Sequence, residues 1–392
     1  MSKKVAFCVS GYNIFYGAQQ SLYNFLLNVN KDDIESIFIA PGEGVFTEKI
    51  DSINISKKII EYPKELDKSG DEIRQNSLLN KLKLGFGSLK FIKKYFDYFS
   101  KSNFDLVYCN DIRTILTAGI AARLKRIPVV WYVRIDKDLG VFNWFAANIA
   151  TKIVTIADNV QNIFPKKLIY NSKEKFKTIY TGLDLQEIDS IKPDDSLRKE
   201  LDLAEDTKLA AVIASIQPRK GQKDLVKSLI KIKDEIRAKN IKFIIVGDIL
   251  NDKYKSYLED MKDLISKNNM KENIIFLGWR DDVYNILKQI DFMILPSYSE
   301  GLPRTVLEAF ACQCPVIATN VGGTKEIIDT MENGLIIEPG CISGLSNAIL
   351  NFLRDDENLK KMGFKARKKV EENFVIQKYI SDLQAEIIKL SK

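Results

Sequence analysis

The strongest constraint in this chain is a hydrophobic period that keeps switching. Short β-branched runs bounded by turn residues alternate with longer runs of helical periodicity, the pattern of βα units that build parallel sheets. In the first half, strands are predicted at 5–10, 36–40, 105–109, 128–133, 152–156 and 177–180, with helices over 19–29, 78–99 and 112–124. A polar stretch, 184–206, reads as a linker with one short helix. The alternation then resumes with strands at 209–215, 242–247, 273–277, 292–296 and 315–319, and it closes on a helix over 374–390 with no strand after it. The fold class expected is α/β, as two successive parallel sheets joined near residue 190. The 392 residues suit two domains at ~100–200 residues each.

In open parallel sheets, ligands bind beyond the carboxyl ends of the strands. Two such domains in series imply a deep inter-domain cleft with strand ends facing each other. The histidine count, zero, narrows the chemistry. It removes Ser-His-Asp and Cys-His nucleophilic catalysis, the His-Glu-x-x-His zinc site, and histidine as a general base. Cys312 and Cys314 have poor spacing for zinc, and the 5 scattered cysteines fit reduced thiols. No segment approaches the ~18 apolar residues that span a bilayer, and the start lacks a signal peptide's apolar region, so a cytoplasmic location is expected.

The segment after the predicted strand at 292–296 is the richest: Ser297-Tyr298-Ser299-Glu300-Gly301-Leu302-Pro303-Arg304-Thr305-Val306-Leu307-Glu308. Pro303 suits the first turn of a helix, which puts Glu300 on the loop and Glu308 inside the helix. Free N–H groups near Arg304–Val306 favour an anion there. Two carboxylates beside an anion site fit a ligand with hydroxyls on both sides of a phosphate, as in a nucleotide sugar, because carboxylates accept from paired hydroxyls. On spacing alone, two solvated surface carboxylates remain the plainer reading. A second segment, Ser215-Ile216-Gln217-Pro218-Arg219-Lys220-Gly221, lies between a strand and a helix, where a cation suits a diphosphate leaving group.

Glu-x7-Glu, followed by Pro315-Val316-Ile317-Ala318-Thr319, Gly322-Gly323-Thr324-Lys325-Glu326-Ile327 and Asn333-Gly334-Leu335, resembles the family 4 retaining glycosyltransferases of the GT-B fold. The resemblance is specific over about residues 205–340 and weaker over the N-terminal half. It implies two Rossmann-like domains. Residues 1–185 would bind the acceptor, residues 186–373 would bind the nucleotide sugar, and the helix at 374–392 would cross back to the first domain. It carries Glu308 over as the ligand of the ribose hydroxyls and Glu300 as the carboxylate at the donor sugar. Gly301, Leu302 and Pro303 would line the sugar, with Thr305 and Val306 at the diphosphate. Lys220 matches the family's diphosphate clamp. Ser215 stands where the family has Arg, and Arg219 is the candidate replacement.

Trp279 and Arg280 match the loop that meets the nucleobase, with packing an equal alternative for Trp279. Gly17 matches the family's glycine-rich loop, where Tyr16 and Gln19 replace Gly and Glu. Arg134 or Asp136 takes the place of a histidine on the acceptor side, with Arg134 favoured. Asp136-Lys137-Asp138 fits a metal-binding Asp-x-Asp only nominally, so no metal and no cofactor are expected beyond a UDP- or GDP-linked co-substrate.

Residues 1–185 hold 27 Lys and Arg against 19 Asp and Glu, and much of the excess falls in 81–101. That run interleaves lysines with Leu82, Leu84, Phe86, Leu89, Phe91 and further aromatics. It reads equally as a peripheral contact with the inner membrane face or as a surface helix packed on its sheet. No recognition motif points to nucleic acid. The expected activity is metal-independent transfer of a hexose-type sugar from a nucleotide donor to a cell-envelope glycan or lipid-linked acceptor. A non-catalytic nucleotide-sugar or glycan-binding partner and a GT-B nucleotide-sugar epimerase are the alternatives.

Overall fold

The structure, a computed structural model, describes residues 2–63 and 78–391, with the side chains of 78–84 excepted. The chain divides into two compact units, Met1–Thr181 with Gln377–Lys392, and Gly182–Ile376.

The first unit is a 7-stranded parallel sheet of β1 (Lys3–Cys8), β2 (Ile34–Ala40), β3 (Ser56–Ile59), β4 (Leu106–Cys109), β5 (Val129–Val133), β6 (Lys152–Thr155) and β7 (Phe176–Thr178). Its order is β3-β2-β1-β4-β5-β6-β7. The second is a 6-stranded parallel sheet of β8 (Lys208–Ile213), β9 (Ile241–Val246), β10 (Ile274–Gly278), β11 (Phe292–Leu295), β12 (Val316–Thr319) and β13 (Gly334–Ile337), ordered β10-β9-β8-β11-β12-β13. Strands such as Leu-Val-Tyr-Cys of β4 and Val-Val-Trp-Tyr-Val of β5 are buried along their whole length. A parallel sheet covered on both faces makes its inner strands continuous apolar runs, which is why they read so clearly.

Two strands escaped the hydrophobic pattern, and both lie at sheet edges. β3 is Ser-Lys-Lys-Ile, and β13 begins on a glycine. An edge strand buries less, so it needs less apolar sequence. The predicted helix over 112–124 is continuous but changes pitch, with a π-helical stretch at Ile115–Gly119. The stretch expected to be a linker, 184–206, is instead built into the second unit as two short helices, Leu185–Ser190 and Ser196–Glu200. Ile188 and Leu197 are fully buried. Arg367 grips both carboxylate oxygens of Asp189 at 2.7 and 2.8 Å.

In the helix Leu78–Ser100, Phe91, Tyr95 and Phe99 are buried, so one face packs within the first unit. The side chains of Lys81, Leu82, Lys83 and Leu84 in the basic run lie outside the described residues. Among the described residues, no helix is long and apolar enough to cross a membrane.

The final helix, Ile376–Leu390, joins the first unit from Gln377 onward, with Tyr379, Leu383 and Ile387 buried. Its Glu386 pairs with Lys152 at 3.2 Å on β6 and with Lys177 at 3.0 Å on β7. Burial alone would raise this carboxyl, but the bonds from Lys177 and Lys152 outweigh it and hold the group below its ordinary value. A carboxyl lowered on folding adds stability that is complete above the unfolded pKa and lost as pH falls through the folded one. Glu386→Gln should therefore cost about 2–3 kcal/mol at neutral pH, a figure discounted because Lys177 is partly solvated. The deficit should shrink once the pH drops below about 4.5, the ordinary value for the group. Thermal melts of both proteins from neutral to acid pH check this, and a deficit independent of pH would contradict it.

Candidate active site

The second sheet has a point where its winding reverses. The chain moves outward from β8 to β9 and β10, then returns to lay β11 on the other side of β8. In open parallel sheets such a reversal point is where ligands bind, beyond the carboxyl ends of the strands. Both motifs singled out in the sequence lie on the loops leaving β8 and β11.

Glycines let the loops approach. Gly221 has φ +70°, and a Cβ there would stand 1.9 Å from the Pro296 carbonyl oxygen, so the loop after β8 rests on the loop after β11. Gly322 has φ +52°, and its Cβ would meet the Glu300 carbonyl oxygen at 2.1 Å. The Gly323 N–H donates to the Gly301 carbonyl at 2.6 Å. Three loops are thus in backbone contact around Glu300.

Lys220 and Glu300 form a direct ion pair in this setting. Lys220 Nζ donates to Glu300 Oε1 at 2.7 Å, and Ser297 Oγ donates to the same oxygen at 2.6 Å. Arg219 Nη1 lies 3.8 Å from the other carboxylate oxygen and donates to the Ser299 carbonyl at 2.5 Å. Two cations against one carboxylate leave a net positive charge, suited to an anion that also offers hydroxyls. Ser215 contributes no charge. Its hydroxyl accepts from Gln217 at 2.8 Å and its carbonyl from Gln222 at 2.9 Å.

Pro303 precedes the helix Arg304–Ala311. Leu302, Pro303 and Val306 are buried, while Gly301 and Thr305 are half-buried. Inside the helix, Arg304 Nε donates to Glu308 Oε1 at 2.8 Å, and the Tyr284 side chain bonds to the same guanidinium. Arg304 was not singled out in the sequence, although its i,i+4 spacing to Glu308 was visible. A cation in the first turn opposes the helix dipole, so its position calls for a local partner. Arg304 Nη1 is buried and meets no acceptor among the described residues.

Burial raises the Glu308 carboxyl, and the Arg304 guanidinium opposes that rise. Without Arg304, burial would act alone. A carboxyl raised on folding keeps its stability below the unfolded pKa and loses it as pH climbs through the folded one. Arg304→Met should therefore lower stability by about 3 kcal/mol at neutral pH, with the gap narrowing toward pH 5. Melting curves across that range decide it, and a gap that widened on acidification would contradict the pairing.

The remaining sequence candidates lie on other elements, each with its own contacts. Arg280, on the loop after β10, donates to both oxygens of Glu200 at 3.0 and 2.8 Å and to Asp282 at 2.8 and 2.7 Å. Trp279 beside it is exposed. In the first unit, Gly17 opens the helix Gly17–Asn28, and the half-exposed Tyr16 donates its N–H to Gln19 Oε1 at 3.3 Å. Arg134, at the end of β5, is buried. Its guanidinium lies 3.9 Å over the Tyr132 ring and donates to Asn110 at 3.1 Å, Ser21 at 2.9 Å, Tyr108 at 3.1 Å and Tyr379 at 3.4 Å. It clamps the final helix to the strand ends. Asp136 is half-buried, which raises its carboxyl.

Residues 193–369 match the family model described as "Glycosyl transferases group 1". That span, less than half of the chain, is similar to the group 1 glycosyltransferases. The whole Lys220–Glu300–Glu308 site falls inside the matched span. The chain is similar to the Escherichia coli UDP-Gal:alpha-D-GlcNAc-diphosphoundecaprenol alpha-1,3-galactosyltransferase, 28% identical over 76% of this chain and 78% of the relative. It is 32% identical to the Bacillus anthracis N-acetyl-alpha-D-glucosaminyl L-malate synthase, over 48% of this chain and 47% of that protein. Among solved structures, Anabaena HepE in complex with UDP and glucose superposes with a TM-score of 0.78 at 21% identity, covering 99% of both chains. The two-sheet architecture is the GT-B fold.

Proposed function

We propose that this chain is a glycosyltransferase that moves a hexose-type sugar from a nucleotide diphosphate donor to a hydroxyl of a cell-envelope glycan or lipid-linked acceptor, with retention at the anomeric carbon. The observation that carries the reading is the Lys220–Glu300 pair, with Arg219 beside it, at the reversal point of the second sheet. Glu300 accepts from hydroxyls of the donor sugar, and Glu308 accepts from the ribose. The C–O bond from the anomeric carbon to the diphosphate breaks as Lys220, Arg219 and the N–H of Thr305 take up the growing charge, the expected Val306 N–H being already given to the Pro303 carbonyl at 3.1 Å. The acceptor oxygen bonds to the anomeric carbon from the face the diphosphate leaves. Its proton passes to the released phosphate oxygen. A chain with no histidine, and with Glu300 held by Lys220, suits a donor phosphate as the base.

The relatives' names support the donor and acceptor classes. UDP appears in the names of both the E. coli relative and the HepE complex, and the E. coli acceptor is a diphosphoundecaprenol. The Campylobacter jejuni relative, 26% identical over 58% of this chain, is likewise named for a diphospho-undecaprenol acceptor. The side-chain cations supply the positive charge, so the reaction proceeds without an added metal.

A thermal-shift titration with UDP, GDP, ADP and their sugars, in EDTA, tests the donor site. UDP should give a saturable upward shift that Glu308→Ala abolishes. Lys220→Ala should lower transfer by about 10²–10³ in kcat. No shift with any nucleotide would overturn the reading.

A further inference from the structure

β5, β6 and β7 are neighbours in the first sheet, so the residues that lead into them meet at one edge of it, the amino edge. Gly17, Arg134 and Asp136 follow strand carboxyl ends and belong to the opposite edge. A cavity of about 380 Å³ opens at the amino edge, lined by Arg123, Arg126, Ile127, Pro128 and Thr151. Sites for small molecules occupy about 300–1,000 Å³. Arg123 lies in the last turn of the helix Ile120–Leu124, and Arg126 in the turn after it. Ile127 and Pro128 run into β5, and Thr151 directly precedes β6. Lys175 directly precedes β7, and its charge and that of Arg123 repel each other.

Basic side chains after a helix ordinarily serve its last carbonyls. Here the backbone does so. The Lys125 N–H donates to the carbonyls of Ala121 and Ala122 at 3.2 and 3.0 Å, the Ile127 N–H to that of Ala122 at 2.9 Å, and the Arg126 N–H to that of Arg123 at 3.0 Å. The side chains of Arg123 and Lys175 form no hydrogen bond or ion pair among the described residues. Burial and the adjacent Arg123 charge both lower the Lys175 ammonium, so two cations are held together here with no carboxylate to offset them. Arg126 has φ +58°, a left-handed backbone that strains any residue with a Cβ and that glycine adopts freely. A strained position that carries a long cation points to use of the side chain. Thr151 Oγ accepts the Val129 N–H at 2.9 Å, which leaves its own proton to donate.

We propose that this cavity binds the phosphate group of a small organic phosphomonoester, on residues the donor site does not use. Arg123, Arg126 and the Thr151 hydroxyl donate to the phosphate oxygens, and Lys175 adds its charge. Ile127 and Pro128, both half-buried, pack against the organic portion. Two observations select this ligand. Guanidinium forks match the paired oxygens of a phosphate, and its two negative charges offset cations that lack a carboxylate. The cavity is also larger than a phosphate alone, and the space left over is walled by apolar side chains. The inference stands independently of the proposed function, because none of these residues belongs to the Lys220–Glu300–Glu308 site.

The test is isothermal titration calorimetry of the full chain with phenyl phosphate, inorganic phosphate and benzoate at constant ionic strength. Lys220→Ala is titrated in parallel, because the cations of the donor site also attract phosphate. Phenyl phosphate should bind saturably to the parent and to Lys220→Ala alike. Arg123→Glu with Lys175→Glu should weaken that binding about tenfold or more and leave the UDP-induced thermal shift unchanged. Arg126→Gly, which relieves the left-handed backbone, repeats the test should the double variant lose the parent melting temperature. Benzoate, with one negative charge, should bind about tenfold or more weakly than phenyl phosphate. Phenyl phosphate tighter than inorganic phosphate gives the cavity to a phosphomonoester, whereas equal affinity gives it to free phosphate, and the phosphate site stands in both. Four results overturn the proposal: no saturable binding, binding lost in Lys220→Ala, binding indifferent to Arg123, Arg126 and Lys175, or benzoate bound as tightly as phenyl phosphate. A missing UDP shift in the parent alongside intact phenyl phosphate binding would sink the donor-site reading and leave this cavity standing.

Discussion

Strands in a parallel sheet all end on one side, and their peptide groups leave no room for a ligand between neighbours. Space opens only where the winding turns back. In the second unit that place is the seam between β8 and β11, and much of the site follows from it. The seam decides which two loops can meet, and Gly221 decides how closely. With no side chain at that residue, the backbone after β8 rests on Pro296, which puts Lys220 within bonding distance of Glu300. The first unit has the same seam between β1 and β4, where Asp111 accepts the Ser10 N–H at 2.9 Å and ties the two loops together.

The two carboxylates of the candidate site, Glu300 and Glu308, solve the same electrostatic problem differently. Each carboxylate sits where burial disfavours charge, so each needs a cation close by. Glu300 takes its cation from another loop, 80 residues away in sequence. Glu308 takes its own from one helical turn earlier, through Arg304. The first arrangement depends on tertiary folding and reports whether the loops are in place. The second is local, and it leaves one buried guanidinium nitrogen without an acceptor among the described residues.

These differences track what the sequence could disclose. The inner strands were legible because burial on both faces makes them unbroken apolar runs, and the loops because glycine and proline mark them. Glu300, Glu308 and Lys220 were singled out through that punctuation and the family resemblance. Their pairings were not, since the Lys220–Glu300 contact depends on strand order, which hydropathy does not encode. Arg280 was assigned to the nucleobase loop from its motif, while the structure gives its guanidinium to Glu200 and Asp282. The polar stretch at 184–206 looked like a linker because its two anchoring side chains, Ile188 and Leu197, are too few to make a periodic pattern.

β3, invisible to hydropathy, has a further consequence. Its outer edge would otherwise offer unpaired backbone groups to any strand that drifted near. Lys57 on that strand is held by Glu43 at 2.9 Å and Asp51 at 2.7 Å, and Lys58 lies over the Tyr98 ring. An incoming strand from another molecule would have to settle beside two ammonium groups and disturb their partners. The opposite edge, β7, carries Lys177, already engaged by Glu386. The charges that hid β3 in the sequence also close that border of the sheet, and Lys177 with its partner does the same at the other, so the sheet stops growing at its own edges.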